Sequence, residues 1–223
     1  MILYATRHGQ VIPSEFTGDE LYQAADRPLT DIGHRQAEIL GQELARRGFG
    51  GIIYSSPFRR TMQTAEHIAD ETGSLIVPVY WIHERITNVE TARTFIGMTK
   101  EQLCGRFRHV DPDFTIRYPW FAGRAETPED VDVRIKDGMD GLLAGTKEDC
   151  LLVCHGASFA GVRRYLGLEC PDRARTWNAS LTEYSVSPKG AEILKYADVS
   201  FMPDGLVTDN RKTREEVVTG MTK

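Results

Sequence analysis

Four side chains spread along most of the chain have the types and settings that phosphoryl chemistry needs. Arg7 and His8 precede Gly9 directly after an apolar run at residues 1–6. Arg59 follows a second apolar stretch at residues 51–55, and His155 with Gly156 closes the wholly apolar run Cys150–Cys154. Guanidinium forks match the oxygens of a tetrahedral dianion, and the exposed amides of a helix N-terminus add donors. Two arginines and two histidines meeting there would form a phosphate pocket. A neutral imidazole is also a competent nucleophile toward phosphorus when its far nitrogen keeps the proton and an acceptor orients it.

For these residues to meet, the elements before them must end at one edge. Ligands of open α/β sheets collect beyond the carboxyl ends of the strands. Residues 1–6 read as a buried strand, followed by polar sequence with Gly and Pro through Pro28. Residues 30–47 place Ala37, Leu40, Gly41, Leu44 and Ala45 at helical spacing, with Thr30 as N-cap and Gly48 as stop. A strand at residues 51–55 leads into Ser56-Pro57, the N-cap and N1 signals of a helix whose inner face carries Met62, Ala65 and Ala69. That reading puts Arg59 in the first helical turn.

Residues 76–79 form a third strand, and residues 81–124, rich in aromatics and arginines, read as an inserted cap. A helix over residues 129–143 presents Val131, Ile135, Met139 and Leu142 on one face. After the strand at residues 150–154, Ser158 caps a helix that stops at Gly167. Residues 182–187 and 191–196 form a hairpin around Ser187-Pro188-Lys189-Gly190, and the tail after Asp209 reads as mobile and solvated. Strands alternating with helices predict a three-layer α/β/α fold with a mainly parallel central sheet, in one domain over residues 1–223.

Bulk properties narrow the partners. A hydrophobic share of 41% with 26% charged residues is that of an ordinary globular chain, long enough at 223 residues for one substantial core. The net charge of -5, with both signs mixed along the sequence, offers no cationic face for nucleic acid or anionic lipid. The first apolar run meets Arg7 too soon to serve as a signal-peptide core, and no later run would span a bilayer, so the expected location is cytoplasmic. Cys104, Cys150, Cys154 and Cys170 read as free thiols. His34, His67, His83 and His109 lack a spacing that suggests shared metal ligation.

The ordered set Arg7-His8-Gly9, Leu29-Thr30 with Gly33, Gln36 and Ala37, Ser55-Ser56-Pro57 through Arg59, Thr64 and Ala65, and His155-Gly156 resembles the histidine phosphatase superfamily, also called phosphoglycerate mutase-like. The resemblance implies that His8 becomes phosphorylated while Arg7, Arg59 and His155 hold the phosphoryl oxygens, with no metal or cofactor required. It implies a proton-donating glutamate after the third strand, which Glu84 matches, with Glu90 competing for the role and His83 as a minor alternative. It also implies substrate contacts from Gly156 and Ala157, and from Ser14 near the place where many relatives carry an asparagine. Asn178 matches a family position that reads as architectural. Tyr118, Trp120 and Phe121 with Arg124 either line the substrate pocket or close a small core.

The expected activity is hydrolysis of a small phosphorylated metabolite through phosphohistidine. Glu84-Arg85 is similar to the mutase branch, which returns the phosphoryl group to bound product. Ile86-Thr87-Asn88 replaces the His-Tyr-Gly usual there, so the phosphatase reading is preferred. A non-catalytic phosphate-binding module is the rival of a different class, and retention of both histidines argues against it.

Overall fold

The computed structural model describes residues 1–12, 26–171, 175–210 and 212–213. Its layering is written into β4 (Cys150–Cys154), a strand buried at every position. Successive side chains of a strand point to opposite faces, so a continuous apolar run demands cover on both sides. Leu151 and Val153 enter one core with Leu40, Leu44, Met62 and Ile68, and Leu152 and Cys154 enter another with Ile135, Met139 and Phe159. The first core lies under α1 (Asp31–Arg46) and α2 (Arg59–Thr72), the second under α5 (Pro128–Gly145) and α6 (Gly156–Tyr165). Burying one such aliphatic side chain contributes about 1.5–3 kcal/mol.

Six strands form the sheet in the order β3 (Ile76–Pro78), β2 (Ile52–Ser55), β4, β1 (Ile2–Arg7), β5 (Leu181–Ser187) and β6 (Gly190–Asp198). The first four run parallel, and the β5–β6 hairpin is antiparallel. Arg7 pairs with Cys154 and Ser55 with Val153, so β1, β2 and β4 end at one level, and the residues after them share one edge.

The segment expected as a cap carries α3 (Val89–Thr94) and α4 (Lys100–Arg106). Of its aromatics, Trp120 and Phe121 close a small core rather than an open pocket wall, whereas Tyr118 is exposed. Trp120 is buried against Phe58, Phe95 and Phe121, and its indole N–H donates to the Met98 carbonyl at 2.9 Å. Arg124 lies apart, paired with Asp130. The expected tail after Asp209 is described only as far as the short pair β7 (Thr208–Asp209) and β8 (Lys212–Thr213), and the rest of that expectation lies outside the described residues. All four cysteines are free, and no described helix is long and apolar enough to cross a membrane.

Candidate active site

His8 leaves β1 as its backbone N–H donates to the Cys154 carbonyl at 3.1 Å. The loop beyond it is fixed from below: Thr64 Oγ1 accepts from Gly9 N, Gln36 Oε1 accepts from Gln10 N at 2.8 Å, and Asn178 Nδ2 donates to the His8 carbonyl at 3.1 Å. Gly9 and Gly33 are needed because the loop and α1 touch backbone to backbone. A Cβ on Gly33 would lie 2.1 Å from the Gln10 carbonyl oxygen. His8 Nδ1 faces its neighbour's carbonyl, Gly9 O, at 2.7 Å. Assigning the proton to Nδ1, the tautomer this acceptor favours, leaves a lone pair at Nε2.

His155 is fully buried, with its ring centroid 5.2 Å from that of His8. Its Nε2 lies 2.8 Å from Ser56 Oγ. With the hydroxyl donating to Nε2, the proton sits on Nδ1, which has no protein hydrogen-bond partner and lies 3.8 Å from Glu84 Oε2. A buried donor left in this state costs about 1–3 kcal/mol, which a bound oxyanion would offset. Burial first, and then the charge of Arg60, holds both imidazoles well below the usual histidine range, so both are neutral.

The guanidinium whose charge is felt most at both histidines is that of Arg60, not of the expected Arg59. Arg60 is buried, lies over the Phe58 ring at 4.6 Å and has Nη2 4.0 Å from Glu84 Oε2. Arg59 instead starts α2, donating its backbone N–H to Asp26 Oδ1 at 2.6 Å. The sequence presents Ser56 as the helix N-cap, but its hydroxyl serves His155, and the cap position falls at Phe58. The inner face of α2 is the expected one, with Met62, Ala65 and Ala69 buried, and it is Arg60 rather than Arg59 that is buried with it. Likewise α6 begins at Gly156, with Ser158 Oγ accepting from His155 N, so Ser158 lies inside the helix it was expected to cap.

Arg7 is held by the C-terminal segment. Its Nη1 donates to Thr176 O at 2.9 Å and to Asp209 Oδ1 at 2.8 Å, Nη2 donates to the Asn210 side-chain oxygen, and Nε is buried without a partner. Glu84 lines a cleft of about 230 Å³ with Arg27, Phe58, Arg60 and Arg85, whereas Glu90 sits exposed on α3 and is not part of that wall. His83 is unsuited to donating protons: buried, with Nδ1 against Glu84 O at 2.6 Å, it is pushed down to about 3 by burial and by Arg134. Gly156 and Ala157 are the first two residues of α6, whose leading amides have no intrahelical acceptor. Ser14 lies outside the described residues.

His8, Glu84 and His155 each offer a ligand atom within 4.8 Å of the others, a spacing that a divalent cation could bridge. Arg60 and Arg7 beside them make the local field positive, which favours an oxyanion. A larger groove of about 450 Å³ beside Met1, Leu143 and Pro188 is mainly apolar and gathers no comparable set of groups.

Known proteins resemble this chain over most of its length. The sequence profile described as "Histidine phosphatase superfamily (branch 1)" matches residues 3–199. A Yersinia pestis (strain Pestoides F) protein described as "Probable phosphoglycerate mutase GpmB" is 31% identical over 194 residues, covering 83% of this chain and 86% of its own. The ecdysone phosphate phosphatase from Bombix mori, solved with tungstate, superposes with a TM-score of 0.71 at 15% identity, over 97% of this chain and 99% of its own. The mycobacterial glucosyl-3-phosphoglycerate phosphatase Rv2419c does so with a TM-score of 0.58 at 24% identity, over 88% and 98%. At these identities the two structures share the fold.

Proposed function

We propose, for a chain that belongs to the histidine phosphatase superfamily (branch 1), that it hydrolyses a small phosphorylated metabolite in the cytoplasm through a phosphohistidine on His8. The observation that carries the reading is the pair of neutral, buried imidazoles 5.2 Å apart with the Arg60 guanidinium beside them. His8 Nε2 attacks phosphorus as the ester P–O bond breaks, and Glu84 gives its proton to the departing alkoxide. His155 Nδ1–H, Arg60 and Arg7 stabilise the charge on the phosphoryl oxygens. Water then attacks phosphorus, Glu84 takes its proton, and the N–P bond breaks to release phosphate and restore His8. No step calls on a metal.

Mutase-type transfer is the second reading, supported by the named mutase relative and by Arg85 beside Glu84 at the cleft. Purified protein is incubated without added metal, first with a panel of phosphate esters and then with phosphoglycerate alone. Hydrolysis predicts phosphate release and a transient protein label that is acid-labile, alkali-stable and absent from His8→Ala. Isomerisation without phosphate release would select the mutase reading. The absence of any label or turnover would leave only phosphate binding.

A further inference from the structure

Resting on the acid role given to Glu84, we propose that the buried trio Arg134, Glu126 and His83 is the positioning device that aims this carboxylate. Glu84 lies on an irregular segment between a 3-10 turn at Tyr80–Ile82 and α3, so no regular element fixes its direction. The trio fixes it from both sides. From α5, Arg134 donates through Nη1 to the Trp81 carbonyl at 2.6 Å and through Nη2 to the His83 carbonyl at 2.8 Å. Its Nε donates to Glu126 Oε1 at 3.0 Å. Glu126 in turn donates its backbone N–H to Ile86 O at 2.9 Å. His83 directs Nδ1–H at Glu84 O at 2.6 Å, with its Nε2 3.7 Å from Glu126 Oε1.

The carbonyls of residues 81, 83, 84 and 86 are thereby all tied into one cluster. Each of the three side chains is below a tenth exposed, and none lines the substrate cleft. Well-packed apolar residues would be about as stabilising as a buried ion pair, so stability alone is a weak reason for this one. A guanidinium fork supplies directional donors that can span two carbonyls and a carboxylate at once, which no apolar side chain can do.

The test compares two esters by kcat/KM, which reports formation of the phosphoenzyme. p-Nitrophenyl phosphate expels a phenolate that needs no proton, whereas an alkyl phosphate such as glycerol 2-phosphate needs the acid. A positioned acid contributes about 10²–10⁴-fold, and small misplacement forfeits part of that. Arg134→Lys and Glu126→Gln are each expected to lower kcat/KM on the alkyl ester by about 10- to 100-fold and leave the nitrophenyl ester little changed. In a Glu84→Gln background they should add no selective loss. Equal losses on both esters, no loss on either, or an undiminished selective loss in that background would overturn the proposal. If Arg134→Lys fails to fold, the isosteric Glu126→Gln decides. Turnover of both esters by His8→Ala would strike the phosphohistidine reading, a result separable from all of these.

Discussion

Ser56 Oγ and His155 Nε2 meet at 2.8 Å although 99 positions separate them in sequence, and this contact leaves Nδ1 as the nitrogen of His155 turned toward Glu84. A net hydrogen bond contributes about 0.5–1.5 kcal/mol. Ser56→Ala should therefore lower kcat/KM up to about tenfold and Tm by about 2–4 °C. Steady-state kinetics with thermal unfolding checks both. An unchanged kcat/KM would show that the serine does not set the tautomer.

Neighbouring arginines should behave oppositely. Arg60→Ala removes the buried guanidinium beside both imidazoles, and a loss of about 10²–10³-fold in kcat is expected. Arg59→Ala, altering a side chain that does not line the cleft, should stay within about twofold. The reverse ranking in a simple phosphate-release assay would return the role to Arg59.

That pair shows how far the sequence carries and where it stops. The apolar runs at β1, β2 and β4, the Thr30 cap and the apolar spacing of Val131, Ile135, Met139 and Leu142 locate the strands and helices because those signals are local. His8 and His155 are legible because each directly follows a buried strand. Arg60 is not, since which of two adjacent arginines is buried is settled by the packing around α2 and not by a local signal. Arg134 is hidden for a related reason: at helical spacing it adjoins the apolar stripe of α5, and only tertiary packing brings it under the Glu84 segment.

Acid should unfold the protein earlier than carboxylate protonation alone would. His8, His83 and His155 all have folded values depressed by burial, while the unfolded chain takes up protons near the ordinary 6.5. Their contribution is intact above that value and falls as pH drops below it, by up to about 1.4 kcal/mol per pH unit for each histidine. Urea unfolding between pH 7.5 and 4.5 measures the slope. A flat profile would mean that these imidazoles are protonated in the native state.

Arg27 forms part of the cleft wall, with its Nη1 donating to Ile12 O at 2.8 Å and its charge felt at His8 and Arg60. Charge-assisted contacts contribute about 1.5–3 kcal/mol, so Arg27→Ala should raise KM for a phosphomonoester dianion about tenfold or more. Initial-rate kinetics on a hydrolysed ester tests this, and an unaltered KM would place Arg27 outside substrate binding.

Trp120→Ala should cost about 3–5 kcal/mol, the range for an aromatic removed from a packed core. Denaturant titration reads the loss directly. A cost below about 1 kcal/mol would mean that the aromatic cluster closes up around the gap.

The candidate active site draws on the segment around Thr208 and Asp209 as well as on β1. Thr208 Oγ1 donates to Asn178 Oδ1, whose amide supports the His8 carbonyl, while Asp209 grips Arg7. A chain cut after β6 would keep every strand of the six-stranded sheet with His8, Arg60, Glu84 and His155, yet would lose Thr208, which braces the Asn178 amide under His8, and Asp209, which grips Arg7.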